Sequence, residues 1–212
     1  ATKAVDLDPT SINGLLISGD LAFENERFLE AAKSYASIAN RVDVLPKEEQ
    51  PKLLMRYVDA LSKSGSAEKA AGVVEKLLAL APDDPGAVQR AAKVSFDAGK
   101  GKDAARLYQD LLKRFSDTMT INERADAMLK LGESWMKAGE YEEAILPLTE
   151  AADLAPDSPA PLNALSKVYE AKKDWEEVVR LKTRRLDVVI GDERSALLLE
   201  IGDVLANQIN DR

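Results

Sequence analysis

The chain has 212 residues, 45% hydrophobic and 31% charged, with a net charge of −8. That is enough apolar material for a core and too much for a disordered chain. Cysteine and histidine are both absent, which excludes disulfides, thiol chemistry and every nucleophile that relies on an imidazole base. The acidic balance argues against a nucleic-acid binder, and no apolar run approaches the length of a membrane span.

Taken in chain order, Ala4-Val5-Asp6-Leu7-Asp8-Pro9 matches a later segment, Ala151-Ala152-Asp153-Leu154-Ala155-Pro156. Residues 1–11 are therefore expected to be the tail of a helical unit that begins earlier. Residues 12–45 then carry Leu15, Gly19 and Ala22 at one helical spacing and Phe28, Ala31, Tyr35 and Ile38 at the next. Residues 51–84 give Leu54, Tyr57, Leu61, Gly65, Ala70, Val74, Leu77 and Pro82. Residues 85–118 give Val88, Ala91, Ala92, Gly99, Ala104, Tyr108 and Leu111.

The clearest copy covers residues 125–158. Met128, Leu131 and Trp135 sit at i, i+3 and i+7, one face of a first helix. Gly139 is expected to end it in the left-handed conformation that glycine adopts without steric cost. Tyr141, Ala144, Leu148 and Ala151 form the expected inner face of a second helix. Gly132 and Ala144 are small where the two helices should cross. Ser158 offers a hydroxyl cap to the next helix, and Pro159 its first residue. Residues 159–192 repeat the pattern with Leu162, Leu165, Tyr169, Trp175, Val178 and Leu181, although Lys182 and Arg185 replace an apolar and a small residue. Residues 195–212 hold only a first-helix pattern, through Leu198, Ile201, Gly202 and Leu205.

Ala31, Ala70, Ala104, Ala144 and Val178 mark the period, at intervals of 39, 34, 40 and 34 residues. The two longer intervals point to insertions near residues 46–50 and 119–124. A period of this size denotes a stacked helical array.

The pattern resembles the tetratricopeptide repeat, whose signature reads W-x-x-L-G-x-x-Y, then A-x-x-x-F, then A and P. The resemblance implies one all-α domain over 1–212: a right-handed α-solenoid of antiparallel helix pairs, about five repeats long and cut from a longer array. It also implies a non-catalytic protein-interaction scaffold, with no cofactor and no metal. In this family the first helices line a concave groove that holds a peptide or helix of a partner. Helical spacing then assigns Asn13, Leu16, Asp20 and Phe23 to the groove from the first repeat. Lys52, Met55 and Asp59 follow from the second, Gln89, Lys93 and Phe96 from the third, and Leu129, Glu133 and Met136 from the fourth.

Leu16, Phe23, Met55, Phe96, Leu129 and Met136 are expected to expose large apolar groups there. Asp20, Asp59, Glu133 and Asp203 recur at one register. Together they suggest a partner segment that is apolar and basic. One branch of the family clamps chaperone C-terminal carboxylates with Lys and Asn. Here Leu16, Asp20, Arg56 and Gly86 stand at those places, and only Arg90 fits. Two alternatives remain: a spacer or self-associating module that uses the array ends, and the regulatory arm of a larger enzyme.

Three other clusters have plainer readings. Arg180-Leu181-Lys182-Thr183-Arg184-Arg185 reads as a solvated basic face. Glu140 to Glu143 read as first-turn acids favoured by the helix dipole. Asp83-Asp84-Pro85 reads as a helix start.

Overall fold

The computed structural model describes residues 11–209. The segment expected to be the tail of an earlier unit lies outside the described residues, apart from Ser11. Among the described residues there are eleven α-helices and no strand. The fold class is all-α, built from antiparallel helix pairs.

The chain divides into two compact units, one ending at Gly99 and the other starting at Lys100. In the first, α1 (Ile12–Glu24), α2 (Phe28–Ala39), α3 (Gln50–Lys63), α4 (Ala67–Leu80) and α5 (Pro85–Asp97) pack successively, and α3 also touches α5. In the second, α6 (Gly101–Phe115), α7 (Ile121–Lys137), α8 (Tyr141–Leu154), α9 (Pro159–Lys172), α10 (Trp175–Arg185) and α11 (Gly191–Val204) do the same, with α7 touching α9. The repeat expected over 85–118 thus contributes α5 to one unit and α6 to the other.

The periodic small residues are the innermost. Ala31, Ala70, Ala104, Ala144 and Val178 are all 0% exposed. Around them the first unit fully buries Tyr35, Ile38, Leu54, Val58 and Leu77, and the second buries Leu111, Leu148, Val168 and Leu197. Each large side chain so buried contributes about 1.5–3 kcal/mol. Small residues are needed because the axes come close. A Cβ on Gly132 of α7 would lie 2.4 Å from Leu148 Cγ on α8, and one on Gly19 would lie 2.6 Å from Tyr35 Cε1. Gly101, the first residue of α6, has the same role: a Cβ there would meet the Ala138 amide nitrogen at 2.6 Å.

The turns inside the helix pairs share one conformation. Gly65, Gly99 and Gly139 have φ of 74°, 75° and 78°, and the equivalent positions in the first and fifth pairs are Glu26 and Lys173, both at 58°. Several helix starts are capped by a side chain. Ser11 takes the Gly14 amide, Asp84 the Ala87 amide and Ser158 the Ala160 amide. The insertions become a 3₁₀ turn at Val42–Val44, a second at Ser116–Thr118, and extra length at the start of α7. Thr120 and Glu123 close a capping box there, and the two Thr120 hydrogen bonds hold the Glu123 carboxyl below its usual range.

Two expectations are corrected. Tyr141 is 38% exposed instead of lining the inner face of α8, because it opens the helix where the neighbouring turn leaves room. Lys182 and Arg185 do not form a solvated face. Their side chains are only 11% and 17% exposed, and they pair with Glu170 and Glu200, and with Glu193, on the adjoining helices. Arg180 and Arg184 pair with Glu177 and Asp153. Arg180 and Arg184 stay in solvent, 72% and 47% exposed, and only Lys182 and Arg185 tie α11 to the helix before it.

Candidate protein-interaction surface

Within the first unit, the first helices α1, α3 and α5 present most of the residues assigned to the groove. The 3.6-residue period places Asp20 and Phe23 on the same side of α1, and Met55 and Asp59 on the same side of α3. A cavity of about 280 Å³ lies among Asp20, Phe23, Glu24, Tyr35, Arg56 and Asp59. Asn13, Lys52, Gln89 and Lys93 are exposed, while Leu16, Met55 and Phe96 are half-buried.

Two carboxylates in this cavity, Asp20 and Asp59, are engaged within the chain. The Tyr35 hydroxyl donates to Asp20 Oδ1 at 2.6 Å, and Arg56 Nη1 donates to Asp20 Oδ2 at 3.1 Å. Burial, and then the hydrogen bond to Asp20, push the Tyr35 hydroxyl pKa well above its usual value, since the phenolate would be both desolvated and repelled. Arg90 on α5 forks onto Asp59 on α3, and its Nη1 also donates to the Gly86 carbonyl. Asp20–Arg56 and Asp59–Arg90 are therefore successive rungs linking each first helix to the next. Glu133 in the second unit pairs with Lys130 of its own helix, at 2.7 Å.

The expectation of freely exposed apolar groups is corrected. None of Leu16, Phe23, Met55, Phe96, Leu129 and Met136 stands fully in solvent. Phe23 packs edge-on against Phe28, with ring centroids 5.2 Å apart, and Lys63 Nζ caps both rings at 5.2 and 5.0 Å. Leu129 and Met136 pack against the core cluster of the second unit. A first-helix side chain this long covers its neighbour as well as facing outward, so half-burial is the natural outcome.

Sequence reasoning missed the larger cleft. It lies in the second unit, about 760 Å³, where α7 forms the floor between the second helices α6 and α8. Met128 and Trp135, read as first-helix core residues, line it. No group of acidic residues able to hold a metal occurs among the described residues, and no described helix is long and apolar enough to cross a membrane.

Antiparallel helix pairs at a fixed period, presenting a polar face with half-buried apolar anchors, define a helical-repeat interaction scaffold. A tetratricopeptide repeat model matches residues 18–85 and 90–159, and the chain belongs to that family, whose members are typically non-catalytic scaffolds that bind other proteins. Curated protein sequences give no match.

Among solved structures, MamA from Desulfovibrio magneticus is similar, with a TM-score of 0.73 at 20% identity over 87% of this chain and 96% of that one. Another MamA structure superposes with a TM-score of 0.71 at 18% identity, over 84% and 91%. The nearly identical repeats of a putative kinesin light chain from Podospora anserina give 0.68 at 15% identity, over 85% and 95%. Identities this low establish a shared fold.

Proposed function

We propose that the face formed by α1, α3 and α5 holds a short segment of a partner protein, a helix or an extended peptide, within a larger assembly. The cavity at Phe23 carries this reading. An aromatic wall stands beside three carboxylates, Asp20, Glu24 and Asp59, and one guanidinium, Arg56. An apolar side chain of the partner would seat against Phe23, and a neighbouring lysine or arginine would meet the acidic rim. The ion-pair rungs hold Asp20 and Asp59 in place before binding, so most of the ordering cost falls on the partner.

The test compares affinity purification with the wild-type chain and with a Leu16→Ser/Phe23→Ser/Met55→Ser/Phe96→Ser variant, quantified by mass spectrometry, after circular dichroism shows that both are helical. A partner enriched by the wild type and depleted at least tenfold with the variant supports the reading. Equal retention by both overturns it.

One observation favours self-association through a terminal helix. Leu198 and Leu199 on α11 are 50% and 77% exposed. On that reading, a mass measured by light scattering above that of one chain would fall to the monomer value on Leu199→Glu. An unchanged mass would remove it.

A further inference from the structure

The cleft between α6 and α8 has the form of a helix-docking groove, and it shares no lining residue with the cavity at Phe23. Its base is apolar: Leu112 and Leu131 are each 7% exposed, and Trp135 is half-buried beside them. At its edge Leu146 is 67% exposed on α8, a large side chain left in water on a helix whose other apolar residues are mostly buried. Three helical stripes line the cleft. The longest, from Glu142 to Leu154 on α8, covers thirteen residues, or about 18 Å at the α-helical rise. That length matches about three turns of a helix. Pro147, buried inside α8, brings no amide proton to the Glu143 carbonyl and so leaves an acceptor on this wall without its usual donor.

The walls differ in charge. Lys113 stands on the α6 side, with Arg124 at the start of the floor, whereas α8 contributes Glu142, Glu143, Glu150 and Asp153. Glu142 and Asp153 are taken by Lys172 and Arg184. Glu143 and Glu150 make no ion pair with any described residue. They sit seven residues apart on the same side of α8, bracketing Leu146 and Pro147.

We infer that this cleft docks an amphipathic helix of a partner protein whose apolar ridge is flanked by basic residues on one edge and acidic residues on the other. The ridge would cover Leu146, Leu131 and Trp135. The basic edge would meet Glu143 and Glu150, and the acidic edge Lys113 and Arg124. Opposite walls set both the partner and its direction along the cleft, since reversing a helix exchanges its edges. This surface is separate from the one in the proposed function, and neither reading depends on the other.

The probes are three synthetic 14-residue helices with the same leucine ridge and with Lys/Glu, Lys/Lys or Glu/Glu edges. They are titrated into the full chain carrying Trp175→Phe, so that Trp135 emission reports the cleft. The Lys/Glu helix is expected to shift Trp135 emission and to bind at least tenfold more tightly than either uniform helix. Charge reversal by Glu143→Lys with Glu150→Lys makes both walls basic, and the Glu/Glu helix should then become the preferred probe. Leu146→Asp should weaken all three, while Phe23→Ser should alter none.

Four results would overturn the inference. Equal binding of all three helices would mean apolar adhesion alone. Preference for the Lys/Lys helix would mean general attraction to an acidic protein. An order unmoved by the charge reversal, or binding that leaves Trp135 emission unchanged, would place the contact elsewhere.

Discussion

Arg90 on α5 reaches across to Asp59 on α3, Nε to Oδ1 at 2.9 Å and Nη2 to Oδ2 at 2.7 Å. Both N–H groups of one guanidinium edge are used, and about two-thirds of each side chain is out of solvent. Such a bidentate pair is stronger than an ordinary surface contact. A double-mutant cycle of Arg90→Ala and Asp59→Ala should give a coupling energy of about 1 kcal/mol by denaturant unfolding. The exposed pair Arg27–Glu30 should give at most a few tenths. Equal values would mean that the rung adds nothing as a link between repeats.

Glu26 and Lys173 occupy the left-handed turn position that glycine fills at 65, 99 and 139. Left-handed backbone costs a residue with a Cβ about 1–2 kcal/mol, and part of the relief is offset by the greater freedom of glycine in the unfolded chain. Glu26→Gly and Lys173→Gly should each stabilise by about 0.5–1 kcal/mol, and Gly139→Ala should destabilise by about 1 kcal/mol. Calorimetric melting tests both directions. A fall on Lys173→Gly would mean that the turn is relaxed without glycine.

Gly132 faces Leu148 too closely for any Cβ. Gly132→Ala should therefore lower stability by about 1–3 kcal/mol, even though alanine is the better helix former by about 1 kcal/mol. In a Leu148→Ala background the same change should become neutral or stabilising, because the obstructing atoms are gone. Additive effects in the double variant would show that the two side chains do not meet.

Tyr35 sets an alkaline limit. Its hydroxyl pKa is raised in the folded chain by burial and by Asp20, and burial also raises that of Tyr57. The unfolded chain therefore loses these protons first, from about pH 10. Above that pH it binds fewer protons than the folded chain, so stability falls as pH rises, by at most about 1.4 kcal/mol per pH unit for each such tyrosine. Tyr35→Phe should lower stability at pH 7 by about 1 kcal/mol through the lost hydrogen bond and flatten the decline above pH 10. An unchanged slope would mean that Tyr35 ionises as freely folded as unfolded.

The repeat was legible in the residues because its signal is local and recurrent. Ala31, Ala70, Ala104 and Ala144 are small for the same packing reason each time, and a period of about 34 survives insertions that fall between the repeats, at helix ends. Gly139 and Ser158 were equally plain, since a left-handed turn and a helix cap are properties of a few adjacent residues. The candidate surface was legible only as a register. Helical spacing placed Asp20 and Asp59 on equivalent faces, but their partners Arg56 and Arg90 lie 36 and 31 residues further on.

Sequence by itself therefore determined the class of fold, the helix pairs, and which residues are small at the crossings, because each follows from short-range stereochemistry and a repeated apolar period. Tertiary structure alone decided which carboxylates are neutralised within the chain, that Lys182 and Arg185 turn inward to glutamates, and that α6, α7 and α8 leave a cleft under Leu146. Those outcomes depend on distances between helices that are remote in the chain, and helix separation is set by the packing of whole side chains, not by their order.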